Sequence, residues 1–194
     1  LASNPRLSAW GIAFKESQGM AIRLDPSWAT DTEAAGLEGL KVARSIAMLS
    51  YRHYNSYEKT QQEPGNSITD NYRASSYQMY QGDKLAKRFN AYTYWILSKA
   101  MDSHNVARDR GTLEKALGHI KAKSLFIGVD TDVLFPVEEQ KFLYEHVAGA
   151  SFALIHSDYG HDGFLVETDQ ITDAITKFYE GETVEALLFE GKEQ

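Results

Sequence analysis

Apolar residues in the first half of the chain recur mostly at helical spacing, separated by one polar stretch. Repeats at three and four residues indicate amphipathic helices, because such positions share one helix face. The stretch over residues 56–71 is polar and contains a Pro-Gly-Asn turn signal, so it predicts a mobile loop. The spacing predicts helices over residues 36–51 and 83–103. Residues 8–20 have mixed spacing and are also interpreted as a helix, which ends near Asp25-Pro26, and residues 111–112 are expected to cap a short helix over 112–119.

The last third of the chain has a different pattern. Residues 124–129 form a continuous apolar run, short enough for a strand buried on both faces, and residues 152–156 form a second. A helix over 136–147 lies between them, and a helix over 163–179 follows. The order strand, helix, strand, helix predicts adjacent parallel strands that are joined by a right-handed crossover.

These patterns divide the chain into a helical part and a sheet part. Residues 23–110 are helical with few strand signals, and residues 111–194 carry the strand and helix alternation. We therefore expect a helical insertion that is followed by the end of an α/β sheet, with residues 1–22 as the end of an upstream core. Two parallel strands need neighbours on a sheet, so we also expect another segment to carry further strands.

Composition excludes several classes of protein. The 194 residues include no cysteine, which rules out disulfides, thiolate zinc sites and a cysteine nucleophile. The net charge of −7 disfavours nucleic acid, whose affinity depends on Lys and Arg. No apolar run approaches the ~18 residues that a membrane span needs. The length fits one domain, or one domain with a sub-domain.

Candidate chemistry lies where the two predicted strands end. Asp130 and Asp132 follow the first strand, and His156 ends the second strand, with His161 in the loop after it. In open α/β sheets functional groups collect at the carboxyl ends of strands, so an Asp and a His are expected side by side, in the order of an α/β-hydrolase triad. A carboxylate would hold the imidazole tautomer, and the imidazole would take a proton from a nucleophile. The alternative is that the Asp only caps a helix or forms a turn.

The histidines have other interpretations. His156 is expected to be a buried histidine at the end of a strand, without a catalytic role. His156 and His161 could together bind a metal, but a loop pair without a third ligand is a poor site, so we expect no metal.

A nucleophile is missing from this pattern. A hydrolase elbow needs Gly-x-Ser-x-Gly between a strand and a helix, and the chain contains no such motif. The nearest match, around Ser151 in residues 149–153, has a helix before it and a strand after it. An Asp-His pair without a nucleophile cannot perform covalent acyl transfer.

Several short motifs resemble one family over nearly the whole chain. They are Ala43-Arg44-Ser45-Ile46-Ala47, Leu49-Ser50-Tyr51-Arg52, Ser76-Tyr77, Tyr80-Gln81-Gly82-Asp83-Lys84, Arg88-Phe89-Asn90-Ala91, Ala100-Met101-Asp102, Thr131-Asp132-Val133-Leu134-Phe135-Pro136 and Tyr159-Gly160-His161-Asp162-Gly163-Phe164-Leu165. The chain resembles the C-terminal portion of homoserine O-acetyltransferases, which are α/β-hydrolase-fold acyltransferases of methionine biosynthesis. The resemblance implies the C-terminal part of an α/β-hydrolase fold with a helical lid insertion.

The resemblance also implies roles for individual residues. Asp132, rather than Asp130, would be the triad acid, and His161 would be the general base. Asp162 would bind the ammonium of homoserine, and Arg44 would bind its carboxylate, since guanidinium grips carboxylates bidentately.

Other residues have rival interpretations. Arg52 is the rival of Arg44, and either arginine could instead form an ion pair. Tyr77, Tyr80 and Lys84 would line a substrate tunnel, unless they only pack the lid. Tyr80 and Lys84 share a helix face only if their helix begins before Tyr80.

In this family the nucleophilic serine and the oxyanion hole lie upstream of the lid. We therefore expect a fragment that is inactive alone, from a cytoplasmic enzyme that uses acetyl-CoA and L-homoserine by a ping-pong route, with no other cofactor. Succinyl-CoA as donor, serine as acceptor and a plain esterase are the alternatives.

A non-catalytic association module is a further alternative, because the run Phe89, Tyr92, Tyr94 and Trp95 exceeds what one small core needs. The resemblance implies a homodimer that pairs through the lid helices.

Overall fold

The structure, a computed structural model, describes Leu1 and residues 3–181, and these form two compact units. The helical unit comprises Arg6–His104. The sheet unit comprises the described residues among 1–5 and from Asn105 onward. Residues 6–22 thus pack with the helical unit and 105–110 with the sheet unit, which differs at both ends from the division by sequence pattern. Residues 182–194 of the expected C-terminal core lie outside the described part.

Five helices form the helical unit. Helices α1 and α2 match the expected ones closely, with α1 extending to Arg23. No helix among the described residues is long and apolar enough to cross a bilayer. The bounds are α1 Ala9–Arg23, α2 Leu37–Tyr51, α3 Tyr54–Gln61, α4 Arg73–Ala86 and α5 Ala91–Asp102.

Helix α2 is the centre of the helical unit, since both α1 and α4 pack along it. Burial of each Leu or Ile side chain in the core of this unit contributes about 1.5–3 kcal/mol to its stability. Trp28, Phe89 and Trp95 pack around the buried cluster from outside. The cluster consists of Ile22, Leu40, Ala43, Leu85 and Ala91.

A loop caps the start of α2. Gly36 precedes the helix with φ +73° and has no side chain to cap it. Instead, Asp25 accepts a hydrogen bond from the backbone N–H of Gly39 at 2.8 Å and another from the Ser27 hydroxyl at 2.7 Å. The Ser27 hydroxyl in turn accepts from the Gly36 N–H at 3.0 Å. These contacts hold the pKa of Asp25 below its ordinary value, the Ser27 hydrogen bond being the largest cause.

The expected loop over residues 56–71 is wrong in its first part. Helix α3 runs through Gln61, with the His53 ring accepting from the Asn55 N–H at its start. The Tyr57 ring packs edge-on against Tyr77 of α4, with ring centroids 6.1 Å apart. This tertiary contact stabilises a helix whose own sequence is mostly polar.

The single helix expected over residues 83–103 is also wrong. Helix α4 begins ten residues earlier and ends at Ala86, and α5 begins at Ala91. Asn90 caps α5, because its side-chain oxygen accepts from the Thr93 N–H at 3.0 Å. The apolar spacing continued across the break because Leu85 and Ala91 enter the same core.

The sheet unit contains the predicted pair of adjacent parallel strands. Leu125 pairs with Ser151 and Val129 with Ile155, so β1 and β2 run in register. The helix expected over 163–179 is interrupted at Glu167, where ψ is +50°. The bounds are α6 Leu113–Leu117, β1 Leu125–Val129, α7 Val137–His146, β2 Ser151–Ile155, a 3-10 turn Gly160–Asp162, α8 Gly163–Val166 and α9 Thr168–Glu180.

Both faces of the strand pair are covered, which explains the continuous apolar runs. Strand residues Ile127, Val129 and Ile155 are buried with Ala174 of α9. Helix α7 packs on the strand pair as well. The strands are thus fixed from both sides, and the loops at their carboxyl ends start from a rigid base.

Candidate active site

Asp132 and His161 are in direct contact at the carboxyl end of the strand pair. Asp132 lies in the turn after β1, and His161 lies in the 3-10 turn after β2. The His161 Nδ1 and the Asp132 Oδ2 are 2.8 Å apart. The Asp132 side chain is 2% exposed and the His161 side chain 15% exposed. The contact that the strand ends predict is therefore present, and it is shielded from solvent.

The backbone fixes the orientation of the Asp132 carboxylate. Its Oδ1 accepts hydrogen bonds from the N–H groups of Leu134 at 2.8 Å and Phe135 at 2.9 Å. This is an Asx-type turn, in which the side chain satisfies the amides that follow it. Since Oδ1 is engaged, Oδ2 is the oxygen that faces His161.

The His161 ring lies between two phenylalanine rings. Its centroid is 5.4 Å from that of Phe135 and 5.2 Å from that of Phe164. A carboxylate is acceptor-only, so the Nδ1 that faces Asp132 carries the hydrogen, and Nε2 is the nitrogen able to take up a proton. The arrangement is thus that of an oriented general base.

Gly163 allows the loop that carries His161 to fold closely onto the strand end. A Cβ at this position would lie 2.9 Å from the Ser157 Cβ and Oγ and 2.9 Å from the Val129 Cγ1. These atoms belong to a strand and to a short side chain, so they cannot easily move. The glycine in the His-Asp-Gly motif therefore has a packing reason.

A second Asp-His pair lies at the same edge. The His156 Nδ1 and Asp130 Oδ2 are 2.9 Å apart, and Asp130 Oδ1 accepts from the Ser157 N–H at 3.0 Å. The His156 side chain is 51% exposed, so the expectation that this histidine is buried is wrong. Its backbone is fastened to Gln170 of α9 by bonds of 3.0 and 2.8 Å, which leaves the side chain on the outside of the unit.

The remaining candidates of the sheet unit are a carboxylate and a serine. Asp162 follows His161 in the 3-10 turn and is half-buried. Ser151 begins β2, at the opposite end of the strand from His161, with a helix before it. No group of three or more His, Asp or Glu side chains among the described residues could hold a metal ion.

Curated relatives decide the family. No family model matches the chain. A homoserine O-acetyltransferase of Cyclobacterium marinum is 49% identical over 179 residues, which is 92% of this chain. Proteins of the same name from Chlorobaculum tepidum and Thermus thermophilus are 38% and 39% identical over 89% and 92% of the chain. The chain belongs to the homoserine O-acetyltransferase family. It spans about half the length of the curated relatives it matches, namely 51%, 49% and 45% of these three.

Solved structures confirm the expected fold class, the C-terminal part of an α/β-hydrolase fold. A homoserine O-acetyltransferase from Bacillus anthracis matches with TM-score 0.76 and 20% identity over 95% of this chain and 52% of that one. One from Staphylococcus aureus matches with TM-score 0.70 and 26% identity over 100% and 51%. Esterase E22 matches with TM-score 0.80 and 22% identity over 91% and 52%. Because esterase E22 matches as well, the fold alone does not select between esterase and homoserine O-acetyltransferase chemistry.

Arg44 and Arg52, the two candidates for binding a carboxylate in this member of the homoserine O-acetyltransferase family, lie in the helical unit. The Arg44 guanidinium lies 5.2 Å from the centre of the Tyr51 ring, and Arg44 makes no ion pair with a carboxylate in the part of the chain that is described. Arg52 follows α2 and its Nη1 is 3.4 Å from the Ser56 hydroxyl. Asp162 belongs to the other unit, so the clamp of Arg44 and Asp162 stays a prediction.

The candidates Tyr77, Tyr80 and Lys84 all lie on α4. Because α4 begins at Arg73, Tyr80 and Lys84 do share a face, and the Lys84 Nζ is 5.8 Å from the centre of the Tyr80 ring. Tyr80 is 56% exposed, whereas Tyr77 is half-buried against Tyr57. Between Tyr80 and Lys84, Gly82 is buried, and a Cβ there would lie 2.8 Å from the Lys41 carbonyl oxygen. The motif therefore combines packing positions with exposed ones.

The aromatic run that motivated the association hypothesis is largely explained by packing. Phe89, Tyr94 and Trp95 pack against the core of the helical unit, and only Tyr92 of the four is exposed, at 59%. The Tyr94 hydroxyl donates to Gln18 at 2.7 Å, and burial raises the pKa of Tyr94. A homodimer through the lid helices stays a prediction.

Sequence reasoning predicted one contact around the pair and missed another. The turn that it gives as the alternative role of the Asp is present beside the contact with His161, and the Leu134 and Phe135 amides are its donors. The hydroxyl of Thr131 was missed, because its partners lie in another loop and leave no local signal.

Proposed function

We propose that this chain supplies the acid and the base of an acyltransferase that moves an acetyl group from acetyl-CoA to L-homoserine. The single observation that carries the proposal is the shielded contact of Asp132 with His161, in a chain of the homoserine O-acetyltransferase family. The chain spans about half the length of these relatives and contains no Gly-x-Ser-x-Gly motif. The nucleophilic serine and the oxyanion hole are therefore assigned to sequence outside it.

The proposed reaction has two half-reactions with the same base. His161 Nε2 accepts the proton of the serine hydroxyl while the oxygen attacks the thioester carbonyl, and the proton then passes to the sulfur of the leaving CoA. In the second half, Nε2 takes the proton of the homoserine hydroxyl, whose oxygen attacks the acyl-serine, and returns it to the serine oxygen. Asp132 stabilises the imidazolium in both steps. This ping-pong scheme balances because each proton accepted is returned.

Substrate recognition is proposed for charged and aromatic residues. The Asp162 carboxylate follows the base directly in the chain and suits the ammonium of homoserine. Arg44, with Arg52 as rival, suits the carboxylate. Tyr77, Tyr80 and Lys84 are proposed to line the path of the substrate. Because an esterase needs no zwitterion clamp, these charges favour an amino-acid acceptor over plain ester hydrolysis.

A chimera tests the proposal. The part of the Cyclobacterium marinum relative that the chain does not match is fused upstream of this chain, and CoA release and O-acetylhomoserine are measured. We expect turnover with acetyl-CoA and homoserine, and none from the chain alone. Separate arms with succinyl-CoA, with serine as acceptor and without acceptor test the alternative donors, the alternative acceptors and the esterase.

Two histidine variants provide the matched comparison. His161→Gln should lower kcat about 10⁴-fold or more, because the base is removed. His156→Gln removes the exposed histidine and should leave kcat within about twofold, because no step of the proposed reaction uses it and surface substitutions usually change free energies by about 0.5 kcal/mol or less. A chimera that unfolds cooperatively but releases no CoA contradicts the proposal, and so does equal loss in the two variants. Robust turnover by the chain alone contradicts the missing nucleophile.

A further inference from the structure

The hydroxyl of Thr131 bridges the two loops that carry the acid and the base. Its Oγ1 donates a hydrogen bond to the Ser157 carbonyl oxygen at 2.6 Å. The same oxygen accepts a hydrogen bond from the Gly160 backbone N–H at 3.1 Å. A single threonine hydroxyl can make both bonds at once, because it has one donor and two acceptor positions.

The position of this bridge relates it to the proposed catalytic pair. Thr131 directly precedes Asp132, and Gly160 directly precedes His161. The last backbone bond of the strand pair joins the Asp130 N–H to the Ile155 carbonyl at 3.0 Å. Beyond that bond, the Thr131 hydroxyl binds one loop to the other where the ladder no longer does.

The conformation of the base-bearing loop needs such a bond. Gly160 has φ +65°, so the chain reverses sharply just before His161. Its N–H is fixed by Thr131, and the Tyr159 N–H before it is bound by the Ser157 hydroxyl at 3.1 Å. Fixing the N–H of Gly160 therefore sets the direction in which His161 leaves the turn.

We propose that Thr131 is a positioning residue, which holds the His161 loop so that the imidazole Nδ1 meets the Asp132 carboxylate. It does not touch the reacting atoms and acts through the residues on either side. Its effect on turnover rests on the function proposed above, but its effect on the Asp132–His161 contact does not. The two can therefore be tested separately.

Nuclear magnetic resonance of this chain tests the contact directly. The Nδ1 proton of a histidine bound to a carboxylate gives a downfield signal, which is assigned to His161 by its loss in His161→Gln. We expect Thr131→Val, which keeps the side-chain shape but removes the hydroxyl, to lose or shift this signal upfield. Thr131→Ser, which keeps the hydroxyl, should retain it.

A second threonine provides the matched control. Thr112 accepts a hydrogen bond from the Lys115 N–H at 3.2 Å and caps α6 in the same unit. Thr112→Val loses a structural hydroxyl away from the pair and should leave the His161 signal unchanged. If Thr131→Val fails to fold, as judged by its amide spectrum, Thr131→Ala takes its place and the retention in Thr131→Ser still decides.

Kinetics in the chimera provide the second readout. Thr131→Val should lower kcat about 10- to 100-fold with little change in KM, because misplacement of a catalytic group by about 1 Å has effects of that size. An unchanged His161 signal in Thr131→Val overturns the positioning role, whatever the activity. An equal change of the signal in Thr112→Val also overturns it. So does the absence of the signal in the unsubstituted chain. If Thr131→Val loses the His161 signal while the unsubstituted chimera folds but is inactive, the positioning role is supported and the proposed reaction is contradicted.

Discussion

Replacing Gly163 by alanine tests how tightly the loop that carries His161 packs on the strand end. The new Cβ would lie 2.9 Å from atoms of Ser157 and Val129, whereas carbon atoms in contact lie about 3.5–4.0 Å apart. The loop or the strand must therefore shift by about half an ångström or more. Overpacking of this kind costs about 1–3 kcal/mol, so we expect Gly163→Ala to lower the free energy of unfolding of the sheet unit by that amount.

Native-state hydrogen exchange measures this locally. All three tryptophans lie in the helical unit, so their fluorescence does not report on the strands directly. Peptides over residues 124–130 and 150–156 do, and a loss of about 1–3 kcal/mol accelerates their exchange about 5- to 150-fold.

Gly65→Ala is the control for this experiment, because Gly65 has nothing within 4 Å of a built Cβ. It should leave exchange in these peptides unchanged. Unchanged exchange in Gly163→Ala, or the same acceleration in both variants, would refute the packing argument.

Two further predictions concern the helical unit, where tryptophan fluorescence during urea unfolding is the measurement. Asp25→Ala should lower the free energy of unfolding at neutral pH by about 1–2 kcal/mol, because α2 loses the acceptor of the Gly39 N–H. Since the folded pKa of Asp25 lies below its ordinary value, this stabilisation is complete above about pH 4 and is lost as the pH falls through the lower folded pKa. The difference in free energy of unfolding from the unsubstituted chain should therefore shrink in acid. A constant difference contradicts the charge argument. Asn90→Ala should lower the free energy of unfolding by about 1 kcal/mol, because α5 loses its cap. A stability equal to that of the unsubstituted chain would show that the cap is not what divides α4 from α5.

The strand pair could be predicted because its signal is local. A continuous apolar run over 124–129 has one simple explanation, burial on both faces, and the order of elements then fixes parallel pairing. The contact of Asp132 with His161 follows from the same fact, since carboxyl ends of adjacent parallel strands meet at one edge. The choice of Asp132 over Asp130 rested on resemblance to a family and not on spacing.

The helix boundaries failed where tertiary contacts overrode the local pattern. The α3 sequence has too few apolar residues to predict a helix, and the Tyr57 contact with Tyr77 supplies part of what it lacks. The break before α5 was hidden because Leu85 and Ala91 both enter one core, which preserves the apolar spacing. The Asn90 cap was readable from the sequence, since asparagine favours such positions.

The two Asp-His pairs show why geometry alone does not assign a base. Both have an Nδ1 to Oδ2 distance near 2.9 Å, so distance does not distinguish them. Burial does, because His161 is 15% exposed and His156 is 51% exposed, while their carboxylates Asp132 and Asp130 are 2% and 20% exposed. Charge interactions strengthen where water is excluded. This burial depends on tertiary packing, and no pattern in the two loops encodes it. The comparison of kcat in His161→Gln and His156→Gln is therefore the measurement that shows whether the less exposed of the two histidines is the base.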